Sequence, residues 1–229
     1  VAIRYSLVAR CNGNKIKNVP ARLRRRKSIA GERMTNLRIE DYALIGDCGT
    51  AALVGRNGSI DWLCLPRFDS PACFAALLGK PEHGRWLIAP GGGHAKVVRR
   101  YIDNSLVLAT RFETPEGVVE LVDFFRPRHG TVNLVRLVRG LRGQVKMQVE
   151  VVLRFDYGYL VPWVERLSQG GISAIAGPER VVLRTPVPLV GEDLKTVGEF
   201  EISGGETVPF VLSYGASHLP PPRPVDAER

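Results

Sequence analysis

The sequence predicts an all-β fold, an antiparallel β-sandwich. Three observations point there. In the stronger stretches apolar and polar residues alternate with period two, the spacing at which a strand shows one face to a core. Between them stand PGGG, TPEG, RPRHG, SQGG, AGPE and SGGE, which are turn and loop chemistries. The pair Asn57–Gly58 sits between two apolar runs, and Asn-Gly is the strongest short-range hairpin signal. Many short strands punctuated in this way build a sandwich or a barrel. Half-polar alternation favours antiparallel sheets with one solvated face.

Taken in order, the β pattern begins near residue 49. Residues 50–55 and 60–65 flank RNGS and form the hairpin. Between them and the C-terminus, 85–89, 105–113, 118–125, 133–141, 172–176, 180–184 and 197–202 read as further strands. The clearest is QVKMQVEVVLRF, residues 144–155. Val145, Met147, Val149, Val151, Leu153 and Phe155 fall on one face, with mostly polar residues on the other. A last strand places Val208, Phe210, Leu212 and Tyr214 together. It contains Pro209, which has no N–H for a ladder bond, so an edge or a bulge is expected there. DSPACFAALLG predicts one short helix near 70–78. Asp69 or Ser70 would cap it, Pro71 suits its first position, and Gly79 its stop. Phe74, Leu77 and Leu78 would form its apolar face.

This divides the chain into a basic head at 1–36, a sandwich domain at 37–216 and a Pro-rich linker stub at 217–229. The formal charge of +9 belongs to the head. Residues 1–33 hold ten of the 32 basic side chains and one of the 23 acidic ones, and the remainder is neutral. The body therefore has no net field to attract phosphate. For the head three readings stay open: translation from a start site upstream of Met34, a solvated disordered arm, or a basic patch through residues 22–27. No run approaches the ~18–20 apolar residues of a membrane helix, and the head lacks a secretory apolar core. Cys11, Cys48, Cys64 and Cys73 show no metal-ligand spacing. Buried free thiols at the last three, in a reducing cytoplasm, are expected, with no metal and no cofactor.

Candidate chemistry concentrates in two stretches. In NGSIDWLCLPRFDSP, Asp61 and Asp69 flank Arg67. Paired carboxylates suit glycoside hydrolysis, but a hairpin and a cap explain them as well. Arg67 fits a bidentate bond to a carboxylate, inside the domain or across a contact. In RFDYGYLVPWV, residues 154–164, Asp156, Tyr157, Tyr159 and Trp163 suit a sugar platform or an interface loop. Asp123 is expected to pair with Arg126 or Arg128. PGGG lacks the Lys-Ser/Thr of a phosphate loop, and GxSxG is absent.

IEDYALIGDCGTAALVGRNGSIDWLCLPRFDSPACFAALLG, residues 39–79, followed by VDFFRPRHGTVNLVRLVRGLRGQVKMQVEVVLRFDYGYLVPWV, resembles the N-terminal region of bacterial glycoside hydrolase family 15, the glucoamylase- and trehalase-like proteins. The resemblance covers about residues 37–222 and leaves the head outside. It implies a β-sandwich of the super-sandwich type, packed on an (α/α)6 barrel that follows through a linker. It implies that two glutamates in that barrel carry out the hydrolysis of an α-glucoside. This chain would stop at the linker. No position here matches those motifs, so no catalytic residue is assigned. Trp62, Arg67, Asp69, Asp156, Tyr157 and Trp163 become candidates for a domain interface or a pocket rim. Two alternatives remain: a stand-alone carbohydrate-binding module using Trp62, Trp86 or Trp163, and a nucleic-acid-associated protein acting through the head.

Overall fold

The computed structural model describes residues 37–227 apart from His94 and His129. The head at 1–36 lies outside the described residues. Among the described residues the architecture is an all-β sandwich of fifteen strands, every pair antiparallel. One layer runs β1 (Tyr42–Gly46), β2 (Ala51–Gly55), β3 (Ser59–Cys64), β5 (Arg85–Pro90), β9 (Asn133–Val152), β14 (Lys195–Ser203), β13 (Val190–Glu192), with β4 (Ala72–Phe74) also on β3. The other runs β6 (Lys96–Tyr101), β7 (Leu108–Glu113), β8 (Gly117–Phe125), β9, β15 (Thr207–Ala216), β12 (Glu179–Arg184), β11 (Ile172–Ala176), β10 (Trp163–Arg166).

Strand β9 belongs to both layers. Its first half pairs with β8 and β15, its second with β5 and β14. The sequence reads it as two strands, 133–141 and 144–155, broken at Arg142–Gly143; the structure makes the break a bend. Gly143 has φ +69°, open to glycine at little cost. A Cβ at Gly140 would strike the Ser203 carbonyl. These glycines let one strand change sheets without ending. Val145, Met147, Val149, Val151, Leu153 and Phe155 are all buried, as the alternation requires.

The two inner faces share one core, from Ile45, Trp86 and Met147 on one side to Leu121, Leu183 and Phe210 on the other. The rings of Phe200 and Phe210 meet at 5.8 Å. An ion pair lies inside this core. Arg136 of β9 donates to Asp123 of β8 through Nε at 2.7 Å, and both side chains are fully buried. The other nitrogens reach the opposite sheet, Nη1 to the Trp86 carbonyl and Nη2 to that of Gly58, each at 2.7 Å. The guanidinium also stands 5.0 Å from the Trp86 ring centroid. Asp123 thus pairs with Arg136, not with Arg126 or Arg128, because its side chain points inward from the strand.

Three local expectations change. The helix near 70–78 is replaced by strand β4 and a single 3-10 turn, Ala76–Leu78. Pairing of Ala72 and Phe74 with β3 claims the backbone groups a helix would use. Phe74 is buried, but Leu77 and Leu78 face solvent. Pro209 lies in an internal strand. It pairs with Leu137 of β9, while β12 extends only to Val211, so the proline has one neighbour. Cys48 is exposed, in a left-handed conformation at φ 66°, whereas Cys64 and Cys73 are buried and free. Burial pushes both buried thiols up.

Residues 217–227 run along the second sheet. Arg180 donates to the carbonyls of Ser217 and Leu219, and Arg184 to that of Pro222. Val225 and Ala227 pack on Val122, Val135, Leu137 and Val211.

Candidate docking face

The stretch from Ser59 to Pro71 folds as strand β3 and a turn. Asp61 is buried and accepts hydrogen bonds from Tyr42 Oη at 2.8 Å and Ser59 Oγ at 2.5 Å. Desolvation, followed by the bond to Asp61, pushes the Tyr42 phenol well above its usual range. Asp69 is exposed and accepts from Arg67, Nε at 2.9 Å and Nη2 at 3.3 Å. The guanidinium holds the Asp69 carboxyl below its usual range. The bidentate bond expected of Arg67 is therefore made within the domain. Asp61 and Asp69 each have a structural partner, and no hydrogen bond links them.

The turn is fastened from beneath by a network outside the two motifs. Arg128 donates through Nε and Nη2 to Asp47, at 3.0 and 3.2 Å, and through Nη2 to the Pro66 carbonyl at 2.9 Å. Asp47 also accepts from the N–H groups of Gly49 and Thr50. Burial acts to raise the Asp47 carboxyl, but the bonds from Arg128, Thr50 and Gly49 outweigh it and hold it below its usual value. Phe68 N donates to the Gly49 carbonyl at 3.1 Å. The rigid turn presents an exposed Phe68.

The second motif lies against the first. Arg154 N donates to the Cys73 carbonyl and Tyr157 N to that of Ala72, which ties the RFDYG loop to β4. The Tyr157 ring lies 6.1 Å from that of Trp62. Phe155 and Leu160 close the loop by mutual backbone bonds. Within it Asp156, Tyr157 and Gly158 have φ of 50°, 57° and 100°. Left-handed backbone at two consecutive residues with side chains is strained, and such strain gathers at functional positions. The loop raises Tyr159 to 88% exposure, and Trp163, at the start of edge strand β10, to 77%. Val161, Leu160 and Leu78 are exposed as well.

The structure thus brings Trp62 and Tyr157 together, with Asp156 beside them in the strained turn, and pairs Arg67 with Asp69 on a turn that enters β4. Trp163 stands at the far end of the same loop. Trp86 is fully buried in the core and is removed from any sugar-stacking surface. The basic stretch at 22–27 lies outside the described residues. Sequence reasoning missed Asp47, Arg128 and Phe68, and it gave Leu77 and Leu78 to the core. No group of His, Cys, Asp and Glu among the described residues could hold a metal ion, and no helix among them is long and apolar enough to cross a membrane.

The family described as trehalase-like, N-terminal, matches residues 23–203. The chain belongs to the trehalase-like N-terminal domain family. The match begins within the basic head, earlier than the motifs alone indicate. A trehalase of Mycolicibacterium smegmatis is 40% identical over 138 residues, 52% of this chain and 20% of the relative. Trehalase 2 of Sulfolobus acidocaldarius is 30% identical over 162 residues, 71% of this chain and 25% of the relative. The trehalase-like N-terminal domain thus spans a fifth to a quarter of these curated relatives. A crystal structure of bacterial glucoamylase complexed with acarbose aligns over 78% of this chain and 33% of its own, at 10% identity and a TM-score of 0.47.

Proposed function

We propose that this trehalase-like N-terminal domain is the non-catalytic support of an α-glucoside hydrolase of the trehalase or glucoamylase type, in glycoside hydrolase family 15. It docks on an (α/α)6 catalytic barrel, and the sandwich occupies residues 37–216. The observation that carries the docking is the strained loop 156–163, which lifts Tyr159 and Trp163 out of a rigid β framework. Exposed aromatics rimmed by polar groups mark interaction sites. Trp62, Arg67, Asp69, Asp156 and Tyr157 complete the face. The lack of catalysis rests on the carboxylates: an inverting glycosidase needs two held ~6.5–9.5 Å apart around sugar and water, while Asp61 and Asp69 serve Tyr42, Ser59 and Arg67. The buried free thiols Cys64 and Cys73 fit the reducing cytoplasm.

Two measurements test this. The purified chain should release no glucose from trehalose or maltose; turnover would overturn the non-catalytic role. The portion of the Mycolicibacterium smegmatis trehalase outside the matched region should bind the chain in a calorimetric titration, and Trp163→Asp with Tyr159→Asp should abolish binding. Unchanged affinity in that double variant would refute this docking face.

A further inference from the structure

A cleft of about 420 Å³ opens where the end of β9, the edge strand β10 and the β13–β14 hairpin meet. Leu153, Val161, Pro162, Ile172 and Leu189 give it apolar walls, and Arg154 lines it as well. Arg154 is buried, with 8% of its surface exposed. Its Nη1 donates to the carbonyls of Leu153 and Leu194, at 2.7 and 3.1 Å. Leu194 and Asp193 form the hairpin turn, both left-handed at φ 60° and 47°, so this half of the guanidinium secures the turn.

The other half has no such task. Arg67, Arg85, Arg128 and Arg136 each grip a carboxylate through their Nε and Nη2 groups, those of Asp69, Glu150, Asp47 and Asp123. That edge carries two parallel N–H groups matched to a carboxylate. In Arg154 the same edge donates to no described residue. Glu82 is near enough for its charge to act on Arg154, but the two form no ion pair. The guanidinium is largely buried but this edge is still reached by solvent, so a carboxylate brought from outside can meet its two N–H groups.

The source of that carboxylate follows from the surrounding charges. Around the cleft Arg154, Arg166 and Lys195 are balanced by Glu165, Glu192 and Asp193, and Lys195 is already bonded to Glu150 at 2.8 Å. A neutral rim does not concentrate free anions. A carboxylate carried on a docked polypeptide arrives at high effective concentration without steering. The walls are also continuous with the proposed docking face, since Val161 and Pro162 belong to both. We propose that the Nε–Nη2 edge of Arg154 receives an aspartate or glutamate side chain of the docked catalytic domain, whose apolar neighbour packs into the cleft. This rests on the docking reading above.

The test uses the full chain with short probes, so it needs no catalytic domain. The Nε–H signal of Arg154 is followed by ¹⁵N NMR while acetyl-Leu-Glu-Val-amide, its Gln counterpart, or propionate is added. The Glu peptide should shift the signal saturably, with the Gln peptide and propionate at least ~tenfold weaker, because one lacks the charge and the other the apolar flanks. Val161→Asp, at a half-exposed wall residue, should abolish the response while leaving the Nη1 bonds of Arg154 in place. No shift with the Glu peptide, or an equal shift with the Gln peptide, overturns the proposal. An equal response to propionate identifies a site for free carboxylates and overturns the polypeptide source. The non-catalytic role is decided separately by the glucose-release assay.

Discussion

Two arginine–aspartate pairs in this molecule have nearly the same geometry and opposite surroundings. Arg136 and Asp123 meet at 2.7 Å with neither side chain exposed; Arg67 and Asp69 meet at 2.9 Å with about 70% of each exposed. The buried pair is part of the mechanism that joins the sheets, because the same guanidinium also serves the carbonyls of Trp86 and Gly58. The surface pair is screened by water, contributes little to stability and is available to other partners. Geometry of an ion pair therefore says little about its role until the dielectric around it is known.

The sharpest way to break the comparison is Arg136→Ala. It leaves the Asp123 carboxyl, which burial already pushes up, without its partner in the core and two carbonyls without donors, and should cost about 3–5 kcal/mol. Urea denaturation would show it as a lower midpoint with an unchanged slope. A cost under ~1 kcal/mol would mean that the core relaxes or admits water around Asp123.

Asp47→Asn should have a smaller effect, about 1.5–3 kcal/mol near neutral pH, the range for hydrogen bonds to charged groups. Its pH signature is more specific. The folded-state pKa of Asp47 is lowered relative to the unfolded chain, and so is that of Glu150, where bonds from Lys195 and Arg85 outweigh a desolvation that acts the other way. A depressed carboxylate stabilises the fold above its unfolded pKa. That contribution is lost as pH falls through the folded value. Wild type should therefore weaken steadily from about pH 5 downward, and Asp47→Asn should flatten part of this slope. Parallel wild-type and variant curves would dissociate Asp47 from the acid response.

The smallest stability effect belongs to Arg67→Ala, because its ion pair with Asp69 is exposed and screened by water. Its consequence should instead appear in binding, as weaker docking to the trehalase portion described above. A calorimetric titration giving the same affinity as wild type would place Arg67 outside the interface.

The layered fold was legible because period-two alternation survives wherever one strand face meets the core, as in 145–155. Strands without that signal escaped. Lys96–Tyr101 and Trp163–Arg166 are edge strands whose residues are mostly exposed, so neither face was under pressure to be apolar. The false helix has a related origin. Asp69, Pro71 and Gly79 are good helix punctuation, but strand β3 offered Ala72 and Phe74 a ladder, and tertiary pairing overrode local preference. The candidate site was legible as two aromatic motifs and not as one face. What joins them is backbone: Ala72 and Cys73 carbonyls accept from Tyr157 and Arg154, and such bonds leave no trace in side-chain identity. The packing of Val225 and Ala227 was hidden for the same reason, since the donors come from Arg180 and Arg184, far away in sequence.

The double membership of β9 also has a consequence for synthesis. Two of the strands that flank it, β14 and β15, lie downstream. As the ribosome delivers the chain at ~5–20 residues per second, this long valine-rich ribbon waits several seconds with one margin uncovered. An unpaired margin of that kind is a template for aggregation, so the nascent polypeptide is a natural client for chaperones that hold extended apolar segments until translation catches up.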